Sequence, residues 1–239
     1  MKTLLEICAG SLSSALAAQE GGADRIELCS ALPLGGLTPS HVSIEMAKKL
    51  LKIPVFVLVR PREGNFVYSP MEIALLCTDI RVAIHLGADG IVCGALDSAG
   101  NIDLKAMESI LKASHGVSFT FHRAFDLCKD PIESFRILMN LGIDTLLTSG
   151  LSSTALEGVK VIQNLVALSK TERDAGILVM PGSGINSSNI SHLVSQTGVT
   201  EIHTSAKKKM EGNYFQTDVN EVRSCRMALD SIDSTLFNK

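Results

Sequence analysis

Short apolar runs alternate along this chain with longer stretches in which apolar residues recur every three or four positions. The short runs predict β-strands and the longer stretches predict amphipathic helices, at roughly 30 residues per strand and helix pair. Eight strands are predicted in this way, at residues 4–8, 25–29, 55–60, 90–93, 118–122, 145–149, 177–180 and 201–205.

Capping residues mark several helix boundaries. Ser11 is a suitable N-cap for a helix that ends at Gly21, and the segment 38–40 opens the next helix with a proline in its first turn. The stretch 71–86 has apolar residues at helical spacing and stops at Gly87. Gly-Ala-Asp stands before the second and fourth strands and Gly-Ile-Asp before the sixth, which predicts a repeated helix-to-strand turn.

The regular alternation favours one fold class. Eight βα units without a linker or a low-complexity segment predict an α/β protein with a (β/α)8 TIM barrel, a single domain over residues 1–239. The core must be filled mainly by Leu, Ile, Val and Ala, because aromatic residues make up 4% of the chain and Trp is absent. An open doubly wound sheet is the alternative, but no GxGxxG motif follows the first strand.

Charge, apolar runs and cysteine content limit the binding partners and the cellular compartment that can be expected. The net charge of -3 gives no reason to expect nucleic acid or an anionic membrane as a partner. The N-terminus has no basic region followed by a long apolar stretch, and no uncharged apolar run reaches the roughly eighteen residues of a membrane span. Six cysteines without CxxC spacing are typical of reduced thiols. We therefore expect a soluble intracellular protein.

Two short motifs near the start of the chain combine a carboxylate with a thiol. Glu6 and Cys8 lie on the first strand and Glu27 and Cys29 on the second, and the strand period of two sends each pair to one face. A buried glutamate is rare unless it is paired, so a site for catalysis or metal is predicted here. Both sulfurs could reach one soft ion such as Cu(I) if the strand registers match, while core packing is the alternative for both thiols.

Further polar residues follow the third and fifth strands, where a barrel collects its functional groups. His122, with Arg123 and Asp126 after it, predicts a functional role rather than a structural histidine. Arg60 is predicted to reach the mouth and either pair with Glu6 or Glu27 or bind an anionic substrate, the alternative being a structural ion pair.

A glycine-rich loop follows the seventh strand. Gly182, Ser183 and Gly184, together with Ser205 after the eighth strand, predict an anion site in which backbone amides approach a phosphate. Tight turns alone would also explain the glycines. The lysines at 207–209 could support an anion, but such a run is usually a solvated face.

Several motifs together resemble the CutC copper-homeostasis family, over about residues 4–206. They are Glu6-Ile7-Cys8, Gly22-Ala23-Asp24-Arg25-Ile26-Glu27-Leu28-Cys29, Gly35-Gly36-Leu37-Thr38-Pro39-Ser40, Arg60-Pro61-Arg62, Phe121-His122-Arg123-Ala124-Phe125-Asp126, Thr148-Ser149-Gly150 and Gly182-Ser183-Gly184-Ile185. The resemblance implies a TIM barrel, cytoplasmic copper handling, homo-oligomers and a Cu(I) site at Cys8 and Cys29. The chain departs from the family pattern at 62–66, where Arg-Glu-Gly-Asn-Phe replaces Arg-Gly-Gly-Asp-Phe, and is shorter after Ser205.

Three functional hypotheses follow. The first is a copper homeostasis protein with Cys8 and Cys29 as Cu(I) ligands. The second is a lyase or hydrolase type of barrel enzyme for a small anionic or sugar-like metabolite, with a catalytic set at the mouth: Glu6, Glu27, Arg60, His122 and Asp126. In this set Glu27 or Glu6 would be the general acid or base, His122 its proton-transfer partner and Arg60 the anchor. The third is an assembly protein whose barrel turns over no substrate.

Overall fold

The computed structural model describes residues 2–172, 176–212 and 214–237 of the chain. Eight parallel strands in these residues form a nearly closed barrel, and all eight were predicted to within two residues at either end. They are β1 (Leu4–Ala9), β2 (Arg25–Leu28), β3 (Val55–Leu58), β4 (Gly90–Cys93), β5 (Ser118–Phe121), β6 (Thr145–Thr148), β7 (Leu178–Pro181) and β8 (Glu201–Thr204).

The strand order confirms a (β/α)8 barrel and excludes the doubly wound alternative. Neighbours in the sheet follow the chain from β7 back to β1, and β1 also pairs with β8. The register of β1 places Glu6 beside Arg25 of β2 on one side and beside His203 of β8 on the other. All strands run the same way, so their carboxyl ends open at one end of the barrel.

Eight helices in the described residues cover the barrel, and several of them begin after a capping side chain. Ser11 accepts a hydrogen bond from the backbone N–H of Ser14, and Ser69 and Glu72 form a complete capping box. The helices are α1 (Leu12–Glu20), α2 (His41–Leu50), α3 (Pro70–His85), α4 (Leu104–Ala113), α5 (Pro131–Asn140), α6 (Val159–Glu172), α7 (Ile190–Thr197) and α8 (Val219–Phe237).

The recurring Gly-Ala-Asp and Gly-Ile-Asp turns share one hydrogen-bonding device. The carboxylate of each aspartate accepts a bond from the backbone N–H of a neighbouring strand: Asp24 from Leu5 at 2.9 Å, Asp89 from Val55 at 2.7 Å and Asp144 from Phe119 at 2.7 Å. The glycine in each turn adopts a positive φ of 93°, 95° or 72°, which favours glycine. The repeated motif therefore fixes the amino end of the barrel.

Three elements between and after the strands were not predicted. Short 3-10 helices occupy Leu32–Leu34 and Arg123–Leu127, and a two-stranded hairpin, β9 (Lys207–Lys209) and β10 (Phe215–Thr217), follows β8. The lysines of β9 are exposed, as the solvated-face interpretation expects. No helix in the described ranges combines the length and apolarity that crossing a membrane requires.

Candidate functional site

A cavity of roughly 1210 Å³ opens at the carboxyl end of the barrel, where the sequence placed the functional groups. Its wall includes Cys8, Glu27, His122 and His203, which come from four different strand ends. The loops after β3, β7 and β8 complete the wall.

Cys8 borders this cavity, and Cys29 lies beside it in the barrel interior. Their sulfur atoms are 3.7 Å apart, and the Cys8 thiol donates a hydrogen bond to Oε1 of Glu27 at 3.1 Å. Both cysteines are buried and pack in a small apolar cluster with Phe56 and other side chains of the barrel interior. The β1–β2 register pairs Cys8 with Glu27 rather than with Cys29, yet the two sulfurs lie close together. Packing accounts for part of the environment of both thiols, and a shared metal ion stays a prediction.

Glu6 does not line the open mouth but lies below it in a buried ionic network. It is fully buried, and its two oxygens contact Nε of Arg25 at 2.5 Å and Nδ1 of His203 at 2.7 Å. Arg25 also donates to Glu201 at 2.8 Å, and its guanidinium lies 4.4 Å from the centre of the Phe56 ring. The network joins β1, β2 and β8 across the barrel interior.

The two glutamates differ in their protonation chemistry. Burial alone would raise the pKa of Glu6, but the charge of Arg25 and the bond to His203 outweigh it and lower this pKa. Burial dominates for Glu27, and together with the charge of Glu6 it raises the pKa of the Glu27 carboxyl. The carboxylate form of Glu6 is thus favoured, while Glu27 holds its proton to a higher pH than an ordinary glutamate.

His203 completes the set of donor atoms around Cys8. Ligand atoms of Cys8, Glu27 and His203 lie within 4.8 Å of one another. Burial would lower the pKa of His203, but the bond to Glu6 and the charges of Glu27 and Glu6 raise it. Nδ1 of His203 is engaged with Glu6, so Nε2 is the ring nitrogen that is left to bind a metal ion. A carboxylate that contacts the other nitrogen of a metal-binding histidine is a common arrangement.

Arg60 lines the cavity but pairs with neither Glu6 nor Glu27, so the predicted Arg–Glu pair is absent among the described residues. Its two terminal nitrogens donate instead to three backbone carbonyls, those of Leu34, Gly36 and Gly64, at 2.9 to 3.1 Å. The guanidinium thereby ties the loop after β2 to the loop after β3. The sequence could not indicate this, because the acceptors are loop carbonyls.

His122 lies on the opposite wall from β1 and is almost completely buried. Its Nδ1 accepts a bond from the backbone N–H of Ala124 at 3.3 Å, which caps the second 3-10 helix. Burial and the nearby charge of Arg60 lower the pKa of His122 to about 3. The ring is therefore neutral at physiological pH and carries its proton on Nε2.

Asp126 also borders the cavity, but its oxygens are engaged in holding the loop after β6. They accept bonds from the hydroxyl of Thr148 at 2.5 Å, from the backbone N–H and hydroxyl of Ser149 and from the backbone N–H of Leu151. Arg123 adds an ion pair at 2.8 Å. This geometry gives Asp126 a positioning function, and its predicted catalytic role stays a prediction.

The residues of the predicted anion site come together after β7 and β8. Ser183, Gly184 and Ser205 border the cavity. The glycines also have packing reasons, because an added Cβ on Gly182 would lie 2.7 Å from Leu147 and one on Gly184 would lie 2.8 Å from Thr154. Anion binding here stays a prediction.

Two residues at the centre of the site were missed as partners by the sequence analysis. Arg25 and His203 flank Glu6 directly in the strand register, one on each side. The alternation of side chains along β2 and β8 is the signal that could have found them, once the register of the parallel strands is known.

The fold and this site define a class: a TIM-barrel protein with buried thiol, carboxylate and imidazole groups at the carboxyl ends of its first, second and eighth strands. Within that class, residues 3–208 match the model of the CutC family. The chain belongs to the CutC family.

Individual relatives agree with this assignment. CutC family proteins from Bacteroides thetaiotaomicron and Glaesserella parasuis are 43% and 44% identical to this chain, over 89% and 97% of it and 84% and 92% of their own lengths. The solved CutC structure from Streptococcus agalactiae is 35% identical, covers 85% of this chain and 98% of its own, and superposes with a TM-score of 0.79. A phosphoribosylanthranilate isomerase from Pyrococcus furiosus, 17% identical with a TM-score of 0.58, shares the fold over 96% of this chain and 99% of its own.

Proposed function

We propose that this protein is a copper homeostasis protein that binds Cu(I) through the thiolates of Cys8 and Cys29. The observation that carries the proposal is the 3.7 Å separation of the two sulfurs at the mouth of the barrel. The solved relative from Streptococcus agalactiae is described as a candidate copper homeostasis protein, which supports the same function for this chain.

The spacing of the sulfurs suits one shared ion. Metal–sulfur bonds of about 2.3 Å, as in zinc sites, place two sulfurs on a tetrahedral ion about 3.8 Å apart, close to the 3.7 Å found here. Thiolates are soft ligands that select Cu(I) over harder ions, and imidazole also suits copper. The carboxylate of Glu27, next to the Cys8 thiol, adds negative charge beside the cation.

Binding requires the loss of protons from the thiols. The bond to Cys29, burial and the charge of Glu27 raise the pKa of Cys8 well above its ordinary value. The Cys8 thiol is therefore protonated at neutral pH, and the ion must displace its proton. Affinity for Cu(I) is expected to increase as the pH rises.

An anaerobic titration against a competing Cu(I) chelator tests the proposal. We expect tight binding under reducing conditions that disappears in a variant carrying both Cys8→Ser and Cys29→Ser. A variant with Cys77→Ser and Cys128→Ser removes two other buried thiols and is the matched control, which should bind like the wild type. Undiminished binding in the first variant would overturn the proposal.

A barrel enzyme for a small anionic metabolite is the second candidate, and one observation favours it. Burial raises the pKa of Glu27, which borders the cavity and so could act as a general acid or base. The lowered pKa of His122 makes its neutral ring a hydrogen-bond donor rather than a base in such a reaction. Activity screening with Glu27→Gln as the control tests this candidate, since activity that survives the substitution would place the chemistry elsewhere.

The same proposal includes a cytoplasmic location and assembly into homo-oligomers, as family membership suggests. A reducing compartment would keep Cys8 and Cys29 as free thiols, which Cu(I) binding needs. Cell fractionation tests the location and sedimentation velocity tests the assembly. Recovery in a secreted fraction, or a monomer at all concentrations, would contradict the respective part.

A further inference from the structure

Two buried polar atoms, on side chains that border the cavity, have no use in the proposed copper site. They are Nε of Arg60 and Nε2 of His122, and neither forms a hydrogen bond with any described residue. Both side chains belong to residues that are deeply buried, Arg60 at 6% and His122 at 5% exposure. A buried donor without an acceptor costs about 1–3 kcal/mol, so an acceptor that reaches both atoms would be bound favourably.

The hydrogen bonds that Arg60 and His122 already form show which of their N–H groups are left without an acceptor. The terminal nitrogens of Arg60 are engaged with three loop carbonyls, which leaves its Nε–H as the free donor. Nδ1 of His122 accepts a bond from Ala124, so the neutral ring carries its proton on Nε2. The pair thus offers one positive charge and two N–H groups.

Phe66 covers both donors. The centre of its ring lies 4.7 Å from the centre of the His122 ring and 4.8 Å from Cζ of Arg60. Phe66 borders the cavity in the loop between β3 and α3, next to the exposed Gly64 and Asn65. A bond from the backbone N–H of Leu96 to its carbonyl holds the main chain, so rotation of the side chain is the simplest movement that opens the donors.

We propose that Arg60 and His122 form a binding site for the carboxylate group of a small organic acid, and that the Phe66 side chain rotates aside to admit it. A carboxylate carries one negative charge and two acceptor oxygens, which match the charge and the two donors. A phosphate dianion would bring a second charge, and the guanidinium of Arg123, which borders the same cavity, is already paired with Asp126. The site is independent of the copper proposal, because it uses neither cysteine.

Titration with sodium acetate as the probe tests the site directly, by following Nε2 of His122 in nitrogen-15 NMR spectra. We expect a saturable shift with acetate and none with sodium chloride at matched ionic strength. The same response to both salts, or no saturable response, would overturn the proposal. A stronger response to inorganic phosphate than to acetate would overturn the choice of a carboxylate.

Variants separate this site from its surroundings, with the stabilisation by acetate relative to chloride in thermal unfolding as the readout. His122→Asn keeps a good capping residue at the 3-10 helix, removes the Nε2 donor and should weaken acetate binding about tenfold. His115→Asn changes an exposed histidine and should bind like the wild type. Retained affinity in His122→Asn would contradict the assignment.

Two further variants address the covering ring and the copper site. Phe66→Ala removes the cover and should bind acetate more tightly, whereas weaker binding would show that the ring does not block the donors. The variant with Cys8→Ser and Cys29→Ser should bind acetate as well as the wild type, whatever its affinity for Cu(I). Loss of acetate binding in that variant would overturn the independence of the two sites.

Discussion

Replacement of Arg25 by methionine should be among the most damaging single changes in the barrel interior. Arg25 contacts Glu6 at 2.5 Å and Glu201 at 2.8 Å, and its side chain is 8% exposed beside a fully buried Glu6. Methionine retains much of the apolar stem but removes the ion-pair partner of Glu201 and leaves Glu6 with His203 alone. The principal loss is therefore electrostatic.

The expected cost follows from this burial. Removal of one partner from a buried ion pair typically costs about 3–5 kcal/mol, because an uncompensated charge stays in the interior. The pKa of Glu6, now lowered by Arg25, should rise in the variant. Glu6 then takes up a proton at a higher pH, so the deficit relative to the wild type should shrink as the solution is acidified.

Urea unfolding at pH 7 and at mildly acidic pH measures both effects. Arg223→Met is the matched control, because Arg223 pairs with Glu20 at the surface and should lose about 0–1 kcal/mol. The double variant Glu6→Gln with Arg25→Met should recover part of the loss. An Arg25→Met variant as stable as Arg223→Met at pH 7 would refute the reasoning.

Two substitutions and one binding measurement test separate parts of the structure. The pKa of His122 is lowered to about 3 in the folded protein, whereas in the unfolded chain the histidine is protonated below about pH 6.5. The wild type therefore loses stability on acidification, and between pH 7 and pH 5 the His122→Asn variant should gain about 2 kcal/mol relative to it in urea unfolding. Gly90→Ala would place a Cβ 2.6 Å from the Phe56 ring and should cost about 1–3 kcal/mol in the same assay; an unchanged midpoint would contradict the packing. Calorimetry of Cu(I) binding in buffers of different ionisation enthalpy should detect proton release, since the pKa of Cys8 is raised; equal heats would contradict a protonated thiol.

The barrel could be predicted because each local signal agrees with the global fold. Apolar strand runs, capping residues such as Ser11 and repeated Gly-Ala-Asp turns each depend on a few neighbouring residues. In the structure Ser11 caps a helix and the Gly-Ala-Asp turns precede strands, as predicted. The hairpin after β8 was missed because its first strand is a run of exposed lysines, which has no alternation to indicate a strand.

The sequence was sufficient to predict where in the barrel the candidate site lies, but not which side chains pair with each other. Parallel strands bring Cys8, Cys29 and Glu27 to one end of the barrel, as the Glu-x-Cys motifs indicated. The partners of Glu6 depend on strand register, and those of Arg60 are loop carbonyls, so neither leaves a pattern in the residue types. The sequence therefore located the mouth, and the structure was needed to distinguish a buried ionic network from the groups that border the cavity.

Anomalous diffraction at the copper edge from crystals loaded anaerobically with Cu(I) tests the central claim most directly. We predict one peak between the sulfur atoms of Cys8 and Cys29, which lie 3.7 Å apart before loading. Copper found only on surface side chains, with both sulfurs unchanged, would contradict it.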